Sequence, residues 1–202
     1  MHQEIEVKFL DVNHQEIRDR LKELKAELGV PMRVMRRAIL DFPKRTLAQK
    51  NDGWVRVRDE GDHVTMTYKQ LTEQQRGYSK EVEVTVSDYE KAIELLEQIG
   101  LKIFAVQESR RETWKLGNVE IVLDEWPWVK PYIEIDGSSE ASIRDVSARL
   151  GFAWSQAIYG SLDMVYASQY PGIRLPNEHI SQIPEMIFGQ PLPKWLKDRI
   201  EP

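Results

Sequence analysis

From residue 3 the chain alternates, with Glu4, Glu6 and Lys8 on one side and Ile5, Val7 and Phe9 on the other. This is the period-two pattern of a half-buried strand over 3–10. The period then lengthens to that of a helix. Asn13 and Glu16 have capping-box spacing; Ile17, Leu21, Leu24 and Leu28 form an apolar stripe, and Gly29 is the expected stop. Strands are expected over 33–42, 54–59, 63–70 and 78–86. Ser87 and Glu90 repeat the capping pattern before a second helix, with Ala92, Leu95, Leu96 and Ile99 inward and Gly100 at its end. Three more strands fit 102–116, 119–126 and 129–136, the first two joined by a Gly117-Asn118 turn. Two further helices are expected near 139–150, with Ile143, Val146 and Leu150, and near 155–169, with Ile158, Leu162 and Val165.

Beyond Tyr170, five prolines (Pro171, Pro176, Pro184, Pro191 and Pro193) forbid long regular elements, yet Ile180, Ile183, Ile187, Phe188 and Trp195 are apolar. Residues 170–202 are expected to be an irregular tail docked on a domain of residues 1–169, or a partner contact. Eight strands joined mostly by short turns predict an α+β fold: a closed or nearly closed eight-stranded antiparallel β-barrel with helices packed outside. Such a barrel leaves room for one small ligand.

Composition narrows the classes. With 202 residues, 41% apolar and 30% charged, the chain reads as a soluble globular protein. A net charge of −5 argues against a general nucleic-acid binder but not against a local basic pocket. There are no cysteines, hence no disulfides and no Cys-ligated metal. No apolar run approaches the roughly 18 residues of a membrane span, no secretory signal is visible, and a cytoplasmic location is expected. His2, His14, His63 and His179 lack metal-ligand spacing and are assigned nothing.

The polar faces carry the chemistry. Arg56 and Arg58 share one; Thr65, Thr67 and Lys69 another; Glu81, Glu83 and Thr85 a third. Arg111 lies with Ser109 and Thr113, Asp124 follows Glu120 and Val122, and Glu134 pairs with Asp136. For any single strand, a solvated sheet face explains the alternation well. Strand after strand of like charges strains that explanation, because such charges repel unless a counter-charge lies between them. Metal ions answer carboxylate pairs, and a polyanion answers the arginines and lysines.

Glu4-Ile5-Glu6-Val7-Lys8 resembles the Glu-x-Glu-x-Lys signature of CYTH-domain proteins, the triphosphate tunnel metalloenzymes. Trp54-Val55-Arg56-Val57-Arg58, Thr65-Met66-Thr67-Tyr68-Lys69 and Lys80-Glu81-Val82-Glu83 resemble that family's next signature strands, in order, over roughly residues 3–167. The resemblance implies an eight-stranded tunnel binding a small-molecule triphosphate with Mg2+ or Mn2+. It assigns Lys8, Arg37, Arg56, Arg58, Lys69 and Arg111 to phosphate, with Arg36 competing for the role of Arg37. Glu4 and Glu6 fall to one metal, and Asp124, Glu134 and Asp136 to another. Glu4, Glu6 and Lys69 are the catalytic candidates. Glu81 and Glu83 would order the cations or reach a metal through water; a salt-bridge ladder explains them equally well.

There are departures. Ile39 stands where many family hydrolases carry a tyrosine that works with the lysine equivalent to Lys69. Glu125-Trp126-Pro127-Trp128 replaces a commoner glycine-containing turn; its aromatics either stack on a base or pack on the outside, the second being the simpler reading. The resemblance implies a triphosphate hydrolase, with a class IV adenylyl cyclase as the alternative and a non-catalytic polyphosphate- or nucleotide-binding module as a third reading. No nucleic-acid or membrane partner is expected, and the chain is a monomer or homodimer.

Overall fold

A computed structural model describes residues 5–71, 79–171, 180 and 183–197. Glu4, His2 and His179 lie outside the described residues, as does most of the segment 172–182. The elements are β1 (Ile5–Leu10), α1 (His14–Glu23), β2 (Glu27–Asp41), α2 (Thr46–Asn51), β3 (Gly53–Asp59), β4 (Val64–Leu71), β5 (Ser79–Val86), α3 (Tyr89–Gln98), β6 (Lys102–Leu116), β7 (Val119–Glu125), β8 (Tyr132–Gly137), α4 (Glu140–Arg149), α5 (Leu162–Gln169), β9 (Glu185–Met186) and α6 (Lys194–Lys197). The sheet runs β1-β8-β7-β6-β2-β3-β4-β5, with β9 added parallel to β6. Its hydrogen-bonded path does not return from β5 to β1 among the described residues. The α+β sheet is therefore observed, while the expected barrel closure is not. No described helix is long and apolar enough to cross a membrane.

The chain divides into two compact units, Met1–Arg33 with Arg110–Pro171 and Val34–Ser109 with Gly172–Pro202; β2 and β6 contribute to both. In the first unit, one side of β1, β7 and β8 buries Val7, Phe9, Ile121, Leu123, Ile133 and Ile135 against Ile17 and Leu21 of α1 and Ile143, Val146 and Leu150 of α4. Each such side chain contributes about 1.5–3 kcal/mol. One charged anchor crosses this layer. Arg18 donates from Nε and Nη2 to the buried Glu112, which also accepts from Trp114 Nε1 at 2.6 Å. Burial alone would raise the Glu112 carboxyl; these donors outweigh it and hold it below the usual range.

α1 starts as its cap predicts, with the Asn13 side chain accepting from the Gln15 and Glu16 amides. It ends at Glu23 rather than Leu28. Lys25 takes a left-handed backbone (φ 59), and Leu28, 48% exposed, belongs to β2. The helical spacing of Leu28 is thus a coincidence of sequence.

The second unit packs Ala38, Leu40 and Val57 against Tyr89, Ala92, Ile93 and Leu96 of α3. Asp88, one residue after the expected Ser87, caps α3 by accepting from Lys91 N at 2.9 Å. The helix buries Ile93, whereas Leu95 and Ile99, expected inward, are 59% and 62% exposed. α2 has no apolar stripe; the buried Asp41 creates its start by accepting from the Leu47 and Ala48 amides. The helix expected over 155–169 is a 3-10 turn at Trp154–Gln156 followed by α5, with Gly160 at φ 111 between them.

Candidate active site

Each unit carries a polar strand face opposite its apolar one. In the first unit the antiparallel register sets Lys8 opposite Glu134 and Glu6 opposite Asp136; from the other flank of β8, Glu120 also faces Asp136. Glu6, Asp136 and Glu120 therefore form a row of carboxylates across three strands, an arrangement that is destabilising by itself. Lys8, 2% exposed, contacts Glu6 and lies 3.3 Å from Glu134. Its backbone is fixed from outside by paired hydrogen bonds with Ile158. Arg111 forms a two-pronged pair with the fully buried Asp124, its Nε 2.8 Å from Oδ1, and its Nη2 reaches Glu134 at 2.8 Å.

Charge follows from these contacts. Burial, with Glu134 beside it, pushes the Asp136 carboxyl up to about 7. Complete burial raises Asp124 to about 6 although Arg111 opposes the shift. Burial would raise Glu134 too, but Arg111 and Lys8 prevail and hold it below the usual range.

Glu6, Glu134 and Asp136 each present a carboxylate oxygen, all within 4.8 Å of one another. An all-carboxylate set of hard donors fits Mg2+ or Mn2+. Burial is the main cause of the raised Asp136 carboxyl, and the neighbouring Glu134 adds to it against the opposing pull of Arg111 and Lys8. Asp124 is not one of these three; Arg111 grips it and joins it to Glu134.

In the second unit the face of β2, β3, β4 and β5 carries Arg37 opposite Arg58, Ile39 opposite Arg56, Arg56 opposite Thr67, Thr67 opposite Glu83 and Lys69 opposite Glu81. Arg56 Nη2 donates to Thr67 Oγ1 and Glu83 Oε2, both at 3.3 Å, and Thr67 donates to the same Glu83 oxygen at 2.6 Å. Lys69 Nζ meets Glu81 Oε1 at 2.6 Å, and Arg58 Nε donates to Glu60 at 2.9 Å. Arg37 donates twice to Gln107. Arg36 points to the helix side instead, pairing with Asp59 and Glu90 and lying 4.3 Å over the Tyr89 ring.

Burial, then Arg58, lowers the Arg56 guanidinium to about 10. Burial and Arg56 lower Lys69, against the pull of Glu81. Among the described residues, the buried Arg56 Nε and Thr65 Oγ1 on this face have no hydrogen-bond partner. Such groups cost roughly 1–3 kcal/mol each if left unmet.

Ile39, 4% exposed, shares this face and cannot hydrogen-bond. The Trp126-Pro127-Trp128 turn is clamped rather than open. Tyr166 donates to the Pro127 carbonyl at 2.6 Å, Tyr170 to that of Trp128, and Lys130 N to Gln169 at 2.8 Å. Three polar residues of these faces were not among the site residues expected from the sequence. Glu120 and Gln107 share strand parity with Asp124 and Arg111, so alternation could have found them; Glu60 follows β3 and carries no such signal.

The CYTH domain family model matches residues 2–152. Curated proteins give no sequence match. Among solved structures, the PH1012 protein of Pyrococcus horikoshii OT3 is 26% identical, with a TM-score of 0.61 over 81% of this chain and 99% of its own. A candidate adenylate cyclase from Vibrio parahaemolyticus is 15% identical, with a TM-score of 0.67 over 82% and 98%. The Hippeastrum candidate adenylyl cyclase HpAC1, whose dominant activity is as a triphosphatase, is 15% identical, with a TM-score of 0.53 over 88% and 100%. At 15% identity the last two share the fold with this chain.

Proposed function

Since the chain belongs to the CYTH domain family, we propose that it is a divalent-metal-dependent hydrolase of triphosphate compounds: inorganic tripolyphosphate, or a nucleoside or thiamine triphosphate. The observation that carries this reading is the partly buried cationic face of the second unit, where Arg56 Nε and Thr65 Oγ1 lack partners among the described residues beside Arg58 and Lys69. An isolated strand pair has no reason to bury such groups, and a polyanion meets them all.

Arg37, Arg56, Arg58 and Lys69 hold phosphate oxygens in this proposal, as do Lys8 and Arg111 of the first unit. Glu6, Glu134 and Asp136, with Glu4 and Asp124, hold Mg2+ or Mn2+. The ion, when bound, offsets phosphate charge and makes the attacking oxygen more acidic. The protein's own task is positioning and electrostatic stabilisation, which supply most of the rate in phosphoryl transfer. Glu81 and Glu83 hold Lys69 and Arg56 extended along the face. With Ile39 beside Arg56, Lys69 has no tyrosine partner at that position and serves as a phosphate ligand.

Ile39 also favours a second reading, a class IV adenylyl cyclase, in which the substrate's own 3′-hydroxyl replaces water. A non-catalytic binding module leaves the Glu6, Glu134 and Asp136 cluster without purpose, because binding a polyanion needs mainly the cations. Incubation with tripolyphosphate, ATP and thiamine triphosphate, with Mg2+ or Mn2+, separates the readings. Orthophosphate as the main product supports the hydrolase, cyclic AMP with pyrophosphate supports the cyclase, and no turnover of any substrate overturns both.

A further inference from the structure

Gln107 links Arg37 to the Ile180 backbone, all within the second unit. Gln107 is 1% exposed and shares a strand face with Ser109 and Arg111. Its Oε1 accepts from Arg37 Nε at 2.8 Å and Nη2 at 2.6 Å, and its Nε2 donates to the Ile180 carbonyl at 2.8 Å. A carboxamide has one accepting end and one donating end. Turned over, it would set N–H against N–H at Arg37 and oxygen against oxygen at Ile180. The Ile180 carbonyl therefore selects the orientation in which Gln107 can hold the guanidinium.

The segment is anchored at that spot. β9 pairs in parallel with β6, Glu185 beside Val106 and Met186 beside Gln107. Val106 N donates to the Pro184 carbonyl at 2.9 Å, and Phe188 N to Glu108 Oε2 at 3.1 Å. Ile180, Ile183 and Met186 are all buried. Three successive residues of β6 thus tie the segment down around Gln107.

We propose that Gln107 is a positioning residue for Arg37, locked by the Ile180 carbonyl, so that the segment carrying Ile180 and Met186 takes part in binding the triphosphate. This rests on the reading of Arg37 as a phosphate ligand. Two N–H bonds to one oxygen fix the guanidinium plane, and a guanidinium binds phosphate through donors in a fixed fork. An amide achieves this without adding a negative charge that would repel the incoming anion.

The test is calorimetric titration of the full chain with tripolyphosphate and Mg2+, comparing wild type with Arg37→Ala, Gln107→Leu and Gln107→Glu. Steady-state kinetics and hydrogen exchange at the Met186 and Phe188 amides accompany it. Arg37→Ala and Gln107→Leu are each expected to weaken binding about tenfold or more, with KM rising and kcat little changed. Gln107→Glu keeps the acceptor for Arg37 but sets oxygen against the Ile180 carbonyl. It should also weaken binding, because the added charge repels the anion, and abolish the slowing of exchange at Phe188 that tripolyphosphate brings in wild type. Full affinity in Arg37→Ala removes Arg37 from the phosphate ligands, and the proposal falls with it. Lost affinity in Arg37→Ala but full affinity in Gln107→Leu overturns the positioning role alone. Should Gln107→Leu not fold, Gln107→Glu decides: wild-type affinity and wild-type exchange overturn the proposal.

Discussion

Asp136 sits between Glu6 on one neighbouring strand and Glu120 on the other. Burial and Glu134 raise its carboxyl to about 7, whereas an unfolded aspartate titrates at about 4. Between those values the folded protein holds a proton that the unfolded chain has released. The metal-free protein therefore loses stability as pH rises through this window, the reverse of the usual carboxylate. Asp136→Asn removes the effect. In urea titrations with a chelator, the variant's advantage over wild type should be negligible near pH 4 and reach on the order of 2 kcal/mol above pH 7, solvent screening allowed for. Mn2+ affinity should follow the opposite course, rising roughly tenfold per pH unit up to about 7 and then levelling, because the ion displaces that proton. A stability gap that does not change with pH would show that Asp136 is an ordinary surface carboxylate. Alternation alone placed Glu6, Lys8, Glu134 and Asp136 on polar strand faces. It could not show that Glu6 meets Asp136, because strand pairing between residues so far apart leaves no local trace in sequence.

At the level of the element, caps and stops decide where alternation and helical spacing apply. Gly151 ends α4: its amide donates to the Ala148 carbonyl and that of Phe152 to Ser147, with φ of 86 at the glycine. Arg20 of α1 donates to the Leu150 carbonyl, and a Cβ on Gly151 would clash with Arg20 Nη1. Gly151→Ala should therefore cost about 1–3 kcal/mol, from the left-handed backbone together with displacement of Arg20. Arg20→Ala in the same background should recover part of the loss; full additivity of the two changes in thermal melts would disprove the contact. The ends of elements are also where sequence was least legible. Leu24 and Leu28 keep helical spacing across a chain reversal made by Lys25, a residue with no special preference for positive φ. α3 is turned so that Ile93 rather than Leu95 faces the sheet, which follows from how it docks on Leu40 and Val57 and not from its own stripe. α2 and β9 exist through tertiary bonds, to Asp41 and to β6, that no local pattern announces.

For the molecule as a whole, the proposed ligands should act as a stabiliser. Tripolyphosphate with Mn2+, each at about 100 times its dissociation constant, should add about 2.7 kcal/mol per site, each site raising Tm by roughly 5–10 °C. Either component alone should do less, since the carboxylates and the cations are met by different partners. No shift with both present would remove the site. The order of the strands has a consequence of another kind. β1 is made well before β8, its partner strand at 132–137. Closing so long a loop is slow, and the contact order of this pairing is high. Until β8 is made, Val7 and Phe9 have only α1 nearby in sequence to pack against, and a nascent chain that stalls before β8 presents an unpaired strand edge to its neighbours. For this fold, the window of greatest exposure to misassembly is set by translation time rather than by the stability of the finished protein.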